Sequence, residues 1–288
     1  MSRIAYVNGR YVPLREATVN IEDRGYQFSD GVYEVCEVRG GRLVDERRHM
    51  ERLARSLKEL RIAMPMSGKA LGVVLREVVQ RNRVRWGIVY LQITRGVSRR
   101  DHAFPPAGTA PAIVVTARNM DLAAAEKNAA DGIAVITVPE NRWERVDIKS
   151  VSLLPNVLAK QAARDQGARE AWFVDKQGLV TEGSSSNAWI VTREGKLVTR
   201  QVDNAILKGV TRTVVLEVLK AHGIALEERG FTVGEAQEAR EAFITSASQI
   251  VTPVVRIDGR PVGNGAPGLI ASALRRDFHQ HAEVILTT

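Results

Sequence analysis

The sequence predicts a mixed α/β (α+β) protein of two domains, and three observations support this class. The chain has 288 residues, 44% of them hydrophobic, which is enough for two cores of moderate size. Its first quarter shows alternating apolar residues around two short turns, as antiparallel strands do. Strand-like and helical patterns then alternate along the rest of the chain. We therefore expect a smaller N-terminal α/β domain over residues 1–120 and a larger C-terminal domain over residues 121–288.

Local patterns predict the elements of the N-terminal domain. Asn8-Gly9 and Gly40-Gly41 each join two alternating runs, and such pairs are strong hairpin signals. Apolar residues then recur at helical spacing after Asp45 and again after Ser67, which predicts two helices with these residues at their N-terminal ends. The strands GIVYLQITRG and PAIVVTAR, joined by a basic loop, complete the domain.

The C-terminal domain begins after RNMDLAAAEKNAADG, a polar and alanine-rich stretch that we interpret as a connector. GIAVITVP then predicts a buried strand, EAWFV to KLVT a meander, and EAFITS to RPV further strands. One predicted helix has Pro155 in its first turn and Gly167 at its end, and another ends at Gly223. Lys149 stands just before the first of these helices, in a strand-to-helix junction.

Charge and composition restrict the class of function. Lysine and arginine outnumber acids 41 to 33, but the basic residues are scattered and no recognition module is evident, so a nucleic-acid-binding protein is a remote alternative. No segment resembles a signal peptide or a membrane span, which predicts a cytoplasmic protein. The single cysteine, Cys36, allows no internal disulfide. His279 and His281 lack a third ligand nearby, so we expect no metal site.

Four places in the sequence could carry chemistry, and each has a plain structural alternative. A lysine in a dry pocket can form a Schiff base, but Lys149 could also be a surface lysine. Glu182 could keep a pyridine ring nitrogen protonated, or it could lie in an exposed serine-rich turn. The helix start at 209–211 could bind a phosphate or be an ordinary cap. Arg52 could bind that phosphate or belong to a solvated helix face.

Together these segments resemble the fold-type IV pyridoxal-phosphate enzymes, and most closely the D-amino acid aminotransferases. The segments EDRGYQFSDGVYEV, TRGVSRRDHAFP, RWERVDIKSVSLLPNVLAKQ, VTEGSSSN, ILKGVTRTVV and ITSASQIVTPV stand in the family's order over nearly the whole chain. The resemblance implies pyridoxal 5'-phosphate as cofactor and a two-domain fold whose C-terminal domain has a barrel-like sheet and carries Lys149. It also implies a homodimer.

The resemblance further implies roles for individual residues. Lys149 would hold the cofactor as a Schiff base and shuttle the substrate's α-proton, and Glu182 would pair with the pyridinium nitrogen. Leu207 would cover one face of the ring. The phosphate would be bound by Arg52, by Val210 and Thr211, and by the turn at Ser246 and Ala247. The implied cofactor-binding set is Arg52, Lys149, Glu182, Leu207, Val210, Thr211, Ser246 and Ala247. Some relatives have a hydroxyl residue in place of Ala247, so there only the backbone N–H can donate.

The loop SRRDH distinguishes substrates within the family. Arg100 and His102 match residues that, in D-amino acid aminotransferases, approach the α-carboxylate from the partner subunit, together with Tyr33. An arginine can bind a carboxylate through two parallel hydrogen bonds and so fix its orientation. The implied reaction is ping-pong transamination between a D-amino acid, of the D-alanine or D-glutamate type, and a 2-oxo acid such as 2-oxoglutarate. A branched-chain L-amino acid aminotransferase and an aminodeoxychorismate lyase are the alternatives within the fold.

Overall fold

The computed structural model describes residues 3–284, which form two compact units. The first unit contains residues 3–121 and two short later segments, 148–152 and 283–284. The second unit contains residues 122–147 and 153–282. Each unit has its own sheet and its own hydrophobic core.

The segment that carries Lys149 belongs to the first unit, whereas the sequence analysis expected it in the C-terminal domain. The N–H of Tyr33 donates to the Lys149 carbonyl at 3.0 Å, and the N–H of Val151 donates to the Gly31 carbonyl at 3.1 Å. Ile148 is buried in the core of the same unit. These pairings join residues far apart in the sequence, so a local pattern could not predict them.

The first unit is a six-stranded antiparallel sheet with two long helices. The strand order is β2-β1-β6-β5-β3-β4, and apolar side chains of two helices pack against the strands to form the core. The strands are β1 Ile4–Val7, β2 Arg10–Pro13, β3 Gly31–Arg39, β4 Arg42–Leu43, β5 Trp86–Thr94 and β6 Ala112–Asn119. The helices are α1 Arg24–Phe28, α2 Glu46–Glu59 and α3 Gly68–Arg81.

Most local signals of this unit form as predicted. Asn8 and Gly9 both have positive φ, at 44° and 94°, which a tight two-residue hairpin requires. Ser67 caps α3 by accepting from the N–H of Ala70 at 3.3 Å. Asp45 precedes α2 but does not cap it with its side chain. Its carboxylate accepts instead from the N–H of Glu283 at 3.0 Å.

The second unit contains a curled half-barrel sheet of nine strands. The main path runs β12-β11-β10-β13-β14-β7-β8-β9, and β15 pairs with β14. The strands are β7 Ile133–Pro139, β8 Glu170–Val174, β9 Val180–Gly183, β10 Asn187–Val191, β11 Leu197–Thr199, β12 Leu226–Glu228, β13 Glu241–Ser246, β14 Ile250–Ile257 and β15 Arg260–Pro261. The helices are α4 Leu122–Asp131, α5 Leu154–Asp165, α6 Val210–Ala221, α7 Val233–Glu238 and α8 Leu269–His281.

The stretch that we interpreted as a connector is helical over most of its length. Its three consecutive alanines favour helix, and α4 is fixed in the unit by an ion pair at 2.9 Å between Glu126 and Arg275 of α8. The strand β7 then begins two residues after the helix ends. No helix among residues 3–284 is both long and apolar enough to cross a bilayer.

Candidate active site

Lys149 extends from a short strand-like segment of the first unit. Its N–H donates to the Ser56 hydroxyl at 3.3 Å, and its neighbour Ser150 bridges to Val32 of β3. The Lys149 Nζ lies 4.1 Å from the centroid of the Tyr33 ring. Within residues 3–284, no carboxylate pairs with this ammonium group. The half-buried amine therefore faces an aromatic surface rather than a counter-charge, which leaves it available for chemistry.

Tyr33 is fixed by a second tyrosine on the adjacent strand. The rings of Tyr33 and Tyr90 stack with centroids 5.7 Å apart, and the Tyr90 hydroxyl donates to Gln92 at 2.7 Å. Burial, with a smaller effect of Tyr33, raises the pKa of Tyr90 to about 12. Tyr90 is therefore a neutral phenol at physiological pH, and the ring beneath Lys149 has a rigid support.

Arg52 forms a two-pronged ion pair in the same unit. Its Nε and Nη2 donate to the two carboxylate oxygens of Glu34, both at 2.8 Å, and His49 Nδ1 bonds to the same carboxylate at 2.8 Å. Burial alone would raise the pKa of Glu34, but Arg52 and His49 outweigh it and hold that pKa well below the usual range. Neither Glu34 nor His49 was predicted from the sequence, although Glu34 follows Tyr33 directly and His49 lies on the predicted helix α2.

Arg100 and His102 lie together on the surface of the first unit. The guanidinium of Arg100 is 4.6 Å from the Phe28 ring centroid, and the ring of His102 is 5.4 Å from the same centroid. Arg24 anchors the loop between them by donating to the Asp101 carbonyl at 2.6 Å. Both side chains are exposed on their own chain. The structure thus brings together two of the three predicted substrate-binding residues, while Tyr33 contacts Lys149.

Glu182 lies near the end of β9 in the second unit and is almost fully buried. Arg142 Nη1 donates to its Oε1 at 2.6 Å. Asn187 Nδ2 and the N–H of Leu207 donate to its Oε2 at 2.9 and 3.1 Å. These donors fix both oxygens, so Glu182 is a positioned carboxylate and not part of an exposed turn. Arg142 and Asn187 were both in segments that carried the resemblance, but no local signal indicates their pairing with Glu182.

The start of α6 comes close to the same cluster. Gly209 precedes the helix, and no side chain caps it. A Cβ at Gly209 would lie 2.2 Å from Asn187 Oδ1, so only glycine allows this approach. The first-turn N–H groups, including those of Val210 and Thr211, have no intrahelical partners and favour an anion. The predicted residues Leu207, Val210 and Thr211 are therefore brought together with Glu182.

Ser246 and Ala247 lie at the end of β13, where the chain turns into β14. The preceding residue, Thr245, is directly opposite Asn187 of β10 in the antiparallel register. The turn closes with the N–H of Gln249 donating to the Ser246 carbonyl at 3.4 Å. The turn therefore begins directly after Thr245. Thr245 lies opposite Asn187, and the side chain of Asn187 donates to Glu182.

Each unit, taken by itself, has groups of the kind that bind pyridoxal phosphate. The second unit offers a buried, oriented carboxylate for a protonated ring nitrogen and an uncapped helix start for a phosphate. The first offers a primary amine without a counter-charge and a buried arginine. No group of three histidine, cysteine or acidic side chains in the described part of the chain could hold a metal ion.

Comparisons with known proteins identify relatives over almost the entire length. The family model for amino-transferase class IV matches residues 31–257. A D-alanine aminotransferase of Staphylococcus aureus strain MSSA476 is 39% identical over 279 residues, which cover 96% of this chain and 97% of that relative. A D-alanine aminotransferase of Bacillus licheniformis is 43% identical, with coverages of 91% and 90%.

A solved structure with a similar fold is the branched-chain aminotransferase of the thermophilic archaeon Thermoproteus uzoniensis with norvaline. It has a TM-score of 0.84 and 25% sequence identity, and the match covers 99% of each chain. The two D-alanine aminotransferases thus share more sequence with the chain, while this branched-chain enzyme shares its architecture.

Proposed function

Because the chain belongs to the class IV aminotransferase family, we propose that it transfers the amino group of a D-amino acid to a 2-oxo acid. The enzyme depends on pyridoxal 5'-phosphate, as fold-type IV aminotransferases do. The donor is of the D-alanine or D-glutamate type, and the acceptor is a 2-oxo acid such as 2-oxoglutarate. The observation that carries the substrate class is the similarity over nearly the whole chain to D-alanine aminotransferases.

We assign the cofactor to eight residues: Arg52, Lys149, Glu182, Leu207, Val210, Thr211, Ser246 and Ala247. The bound cofactor supplies an aldehyde carbon that exchanges amines and a ring that delocalises electrons. Lys149 would hold the cofactor through its side-chain amine, and the free amine would move the proton at the substrate's α-carbon. Glu182 holds the proton of the ring nitrogen. The α6 start, the turn at Ser246 and Arg52 neutralise the phosphate.

Tyr33, Arg100 and His102 would bind the substrate's carboxylate and thereby select its handedness. A guanidinium that binds the carboxylate through two hydrogen bonds fixes the orientation of the α-carbon. Only one enantiomer then has its α-hydrogen directed at the lysine. The exposed position of Arg100 and His102 on their own chain supports a role in a partner's site. We therefore propose a homodimer in which this loop completes the neighbouring site.

Exposed apolar surface supports the proposed dimer. In the first unit Ile21 and Tyr26 are 78% and 74% exposed. In the second unit Leu154, Val157 and Leu158 are exposed on one face of α5, at the spacing of a helical stripe. Such apolar groups are typical of an interface with another protein. A cytoplasmic location is part of the same proposal, because pyridoxal phosphate and 2-oxo acids are metabolites of that compartment.

Absorbance spectroscopy tests the substrate class. The purified enzyme, loaded with pyridoxal phosphate, is mixed with D-alanine or with L-leucine while no 2-oxo acid is present. We expect the visible absorbance band of the bound cofactor to disappear with D-alanine and to persist with L-leucine. Loss of the band with L-leucine alone would favour the branched-chain alternative. That alternative is supported by the similar fold of the Thermoproteus uzoniensis enzyme. A protein that shows no band after cofactor is added would contradict both.

Arg100→Ala and Arg99→Ala form a matched pair for the carboxylate contact. Both side chains are exposed in the same loop, so they share any general effect of removing positive charge. We expect Arg100→Ala to raise the KM for D-alanine by about tenfold to a hundredfold, the value of a charge-assisted hydrogen bond. Arg99→Ala should leave it near normal, and cofactor affinity should be unchanged in both. Equal effects of the two substitutions on KM would refute the assignment.

A further inference from the structure

We propose that Arg142 is a positioning residue that fixes the direction and the charge of the Glu182 carboxylate, with Glu140 as its second counter-ion. This inference rests on the proposed function of Glu182. It adds two residues, Arg142 and Glu140, that have no part in the sequence-based site.

Arg142 is buried between the two carboxylates. Its Nη1 donates to Glu182 Oε1 at 2.6 Å, and its Nε and Nη2 donate to the two oxygens of Glu140 at 2.9 and 2.6 Å. Only 3% of its side chain is exposed. The guanidinium also lies 4.3 Å from the ring centroid of Phe173. A planar group with several fixed donors is needed for these contacts, and lysine could not make them all.

Glu140 is held in place independently of Arg142. Its N–H donates to the Val174 carbonyl at 2.8 Å, and its carboxylate accepts from the Thr181 hydroxyl at 2.8 Å. Thr181 immediately precedes Glu182 on β9. Burial alone would raise the pKa of Glu140, but the hydrogen bonds and charge of Arg142 outweigh it and lower that pKa below its ordinary value. Glu140 is therefore an ionised partner.

The net charge of Glu182, Arg142 and Glu140 should affect the protonation of a bound cofactor. With all three groups ionised, two carboxylates and one guanidinium leave a single net negative charge, which matches the single positive charge of a protonated ring nitrogen. Without Arg142 the same space would hold two negative charges, one buried and one partly exposed, with no cation between them. Without Glu140 it would hold none in excess. The protonation of a cofactor beside Glu182 should therefore respond to the two substitutions in opposite directions.

Substitutions that neutralise one charge at a time test this inference. The pH midpoint of the visible absorbance of bound pyridoxal phosphate is measured in the holoenzyme and in Arg142→Gln, Glu140→Gln and the double variant. We expect Arg142→Gln to raise the midpoint by about one pH unit or more and Glu140→Gln to lower it, as nearby charges do. The double variant, which again has one net negative charge, should return close to the wild-type midpoint.

A purely structural ion pair predicts a different pattern. It would lower the Tm of each variant without shifting the pH midpoint in opposite directions. The double variant would not return to the wild-type Tm. Arg193→Gln, which removes an exposed arginine of the same unit, controls for net charge and should leave the midpoint unchanged. Midpoints that are equal in all variants, or that move in one direction, would refute the role of Arg142.

Different results would refute the proposed transamination and the proposed role of Arg142. A wild-type enzyme without a visible band, or with a band that D-alanine does not remove, would refute the proposed function. A wild-type enzyme that behaves as expected while its variants show no opposite shifts would refute only the role of Arg142. Should Arg142→Gln fail to fold, Glu140→Gln still gives the predicted downward shift, and an unchanged midpoint in Glu140→Gln would refute the charge balance.

Discussion

A single buried carboxylate, Glu34, holds two side chains of α2, and this makes the first unit sensitive to acid. Because Glu34 is ionised, it can only accept, so His49 Nδ1 must carry the hydrogen of their bond at 2.8 Å. Burial lowers the pKa of His49 below 6.5 in spite of the opposing effect of Glu34. The contact that orients Arg52 therefore depends on the protonation states of Glu34 and His49, which change with pH.

We expect the stability of the cofactor-free protein to fall in two steps as the pH decreases. His49 has a lowered pKa in the folded state, so below pH 6.5 the unfolded chain binds a proton first and the folded state loses stability. Glu34 also has a lowered pKa, and its contribution is lost below its unfolded pKa of 4.5. Thermal denaturation between about pH 7.5 and 2.5 measures the first step in full and the upper part of the second.

His49→Asn separates the two steps. The asparagine amide can donate to Glu34 in place of Nδ1 but does not titrate. The decrease of Tm between pH 6.5 and 4.5 should become shallower in this variant, while the decrease at lower pH should remain. A variant whose Tm follows the wild-type curve over the upper range would show that His49 is not responsible.

Local sequence patterns placed the candidate residues on the correct elements but did not predict their partners. A strand or helix signal within a few residues placed Lys149 before a helix, Glu182 at the end of a strand and Thr211 at the start of a helix, whereas the roles of these residues were predicted from the family resemblance. The bond from Arg142 to Glu182 and the bond from Arg52 to Glu34 each join residues that lie on different elements. Such pairs depend on how strands are ordered, which a local pattern does not contain.

At the scale of elements, the junction of Gly209 with α6 connects the helix start to the buried carboxylate. Asn187 bonds to both Glu182 and the Leu207 carbonyl, and its Oδ1 occupies the space that a Cβ of residue 209 would need. The helix can therefore begin at this point only because residue 209 has no side chain. This close approach couples the proposed phosphate and ring-nitrogen contacts.

Gly209→Ala should weaken the binding of pyridoxal phosphate. The added methyl group would displace Asn187 or the start of α6, either of which disturbs a proposed cofactor contact. We expect the dissociation constant to rise by about tenfold or more, which corresponds to roughly 1.4 kcal/mol. Gly68→Ala is the matched control, since Gly68 begins α3 and its Cβ would meet no atom within 4 Å. Equal affinities in the two variants would contradict the coupling.

Periodicity predicted most elements, and the exceptions have physical reasons. α4 lies in the stretch that we interpreted as a connector, because its polar composition resembles a loop while its alanines favour helix. Asp45 has the residue type of an N-cap, but its carboxylate bonds to Glu283. For α4 the helix propensity of the alanines outweighs the polar composition, whereas for Asp45 the competing partner lies more than two hundred residues along the chain.

At the scale of the whole molecule, the proposed dimer can be tested by mixing two impaired variants and assaying the mixture at a D-alanine concentration well below the wild-type KM. If Arg100 completes the partner's site, Lys149→Ala and Arg100→Ala protomers are both impaired in their own homodimers. A mixed dimer, however, has one site with an intact Lys149 and an intact Arg100 from the other protomer. Refolding or coexpressing equal amounts should restore up to about a quarter of wild-type activity, given random pairing in a two-fold dimer.

The same mixture shows whether Arg100 acts within its own chain. In that case no mixed dimer has a complete site, and activity should stay at the sum of the two separate variants. Lys149→Ala mixed with Glu182→Ala provides the comparison. We assign both of those residues to the cofactor of their own protomer, so that mixture should show no recovery.

The long-range pairing of residues 148–152 with β3 has a consequence for the order of folding. The Tyr33 N–H and the Lys149 carbonyl are about a hundred residues apart along the chain, and such non-local contacts form slowly because the intervening loop must close first. During synthesis, β3 must therefore wait until the ribosome has released more than half of the polypeptide before its lysine-bearing neighbour can arrive. The amine of Lys149 thus reaches its place above the Tyr33 ring among the last steps in the assembly of the unit.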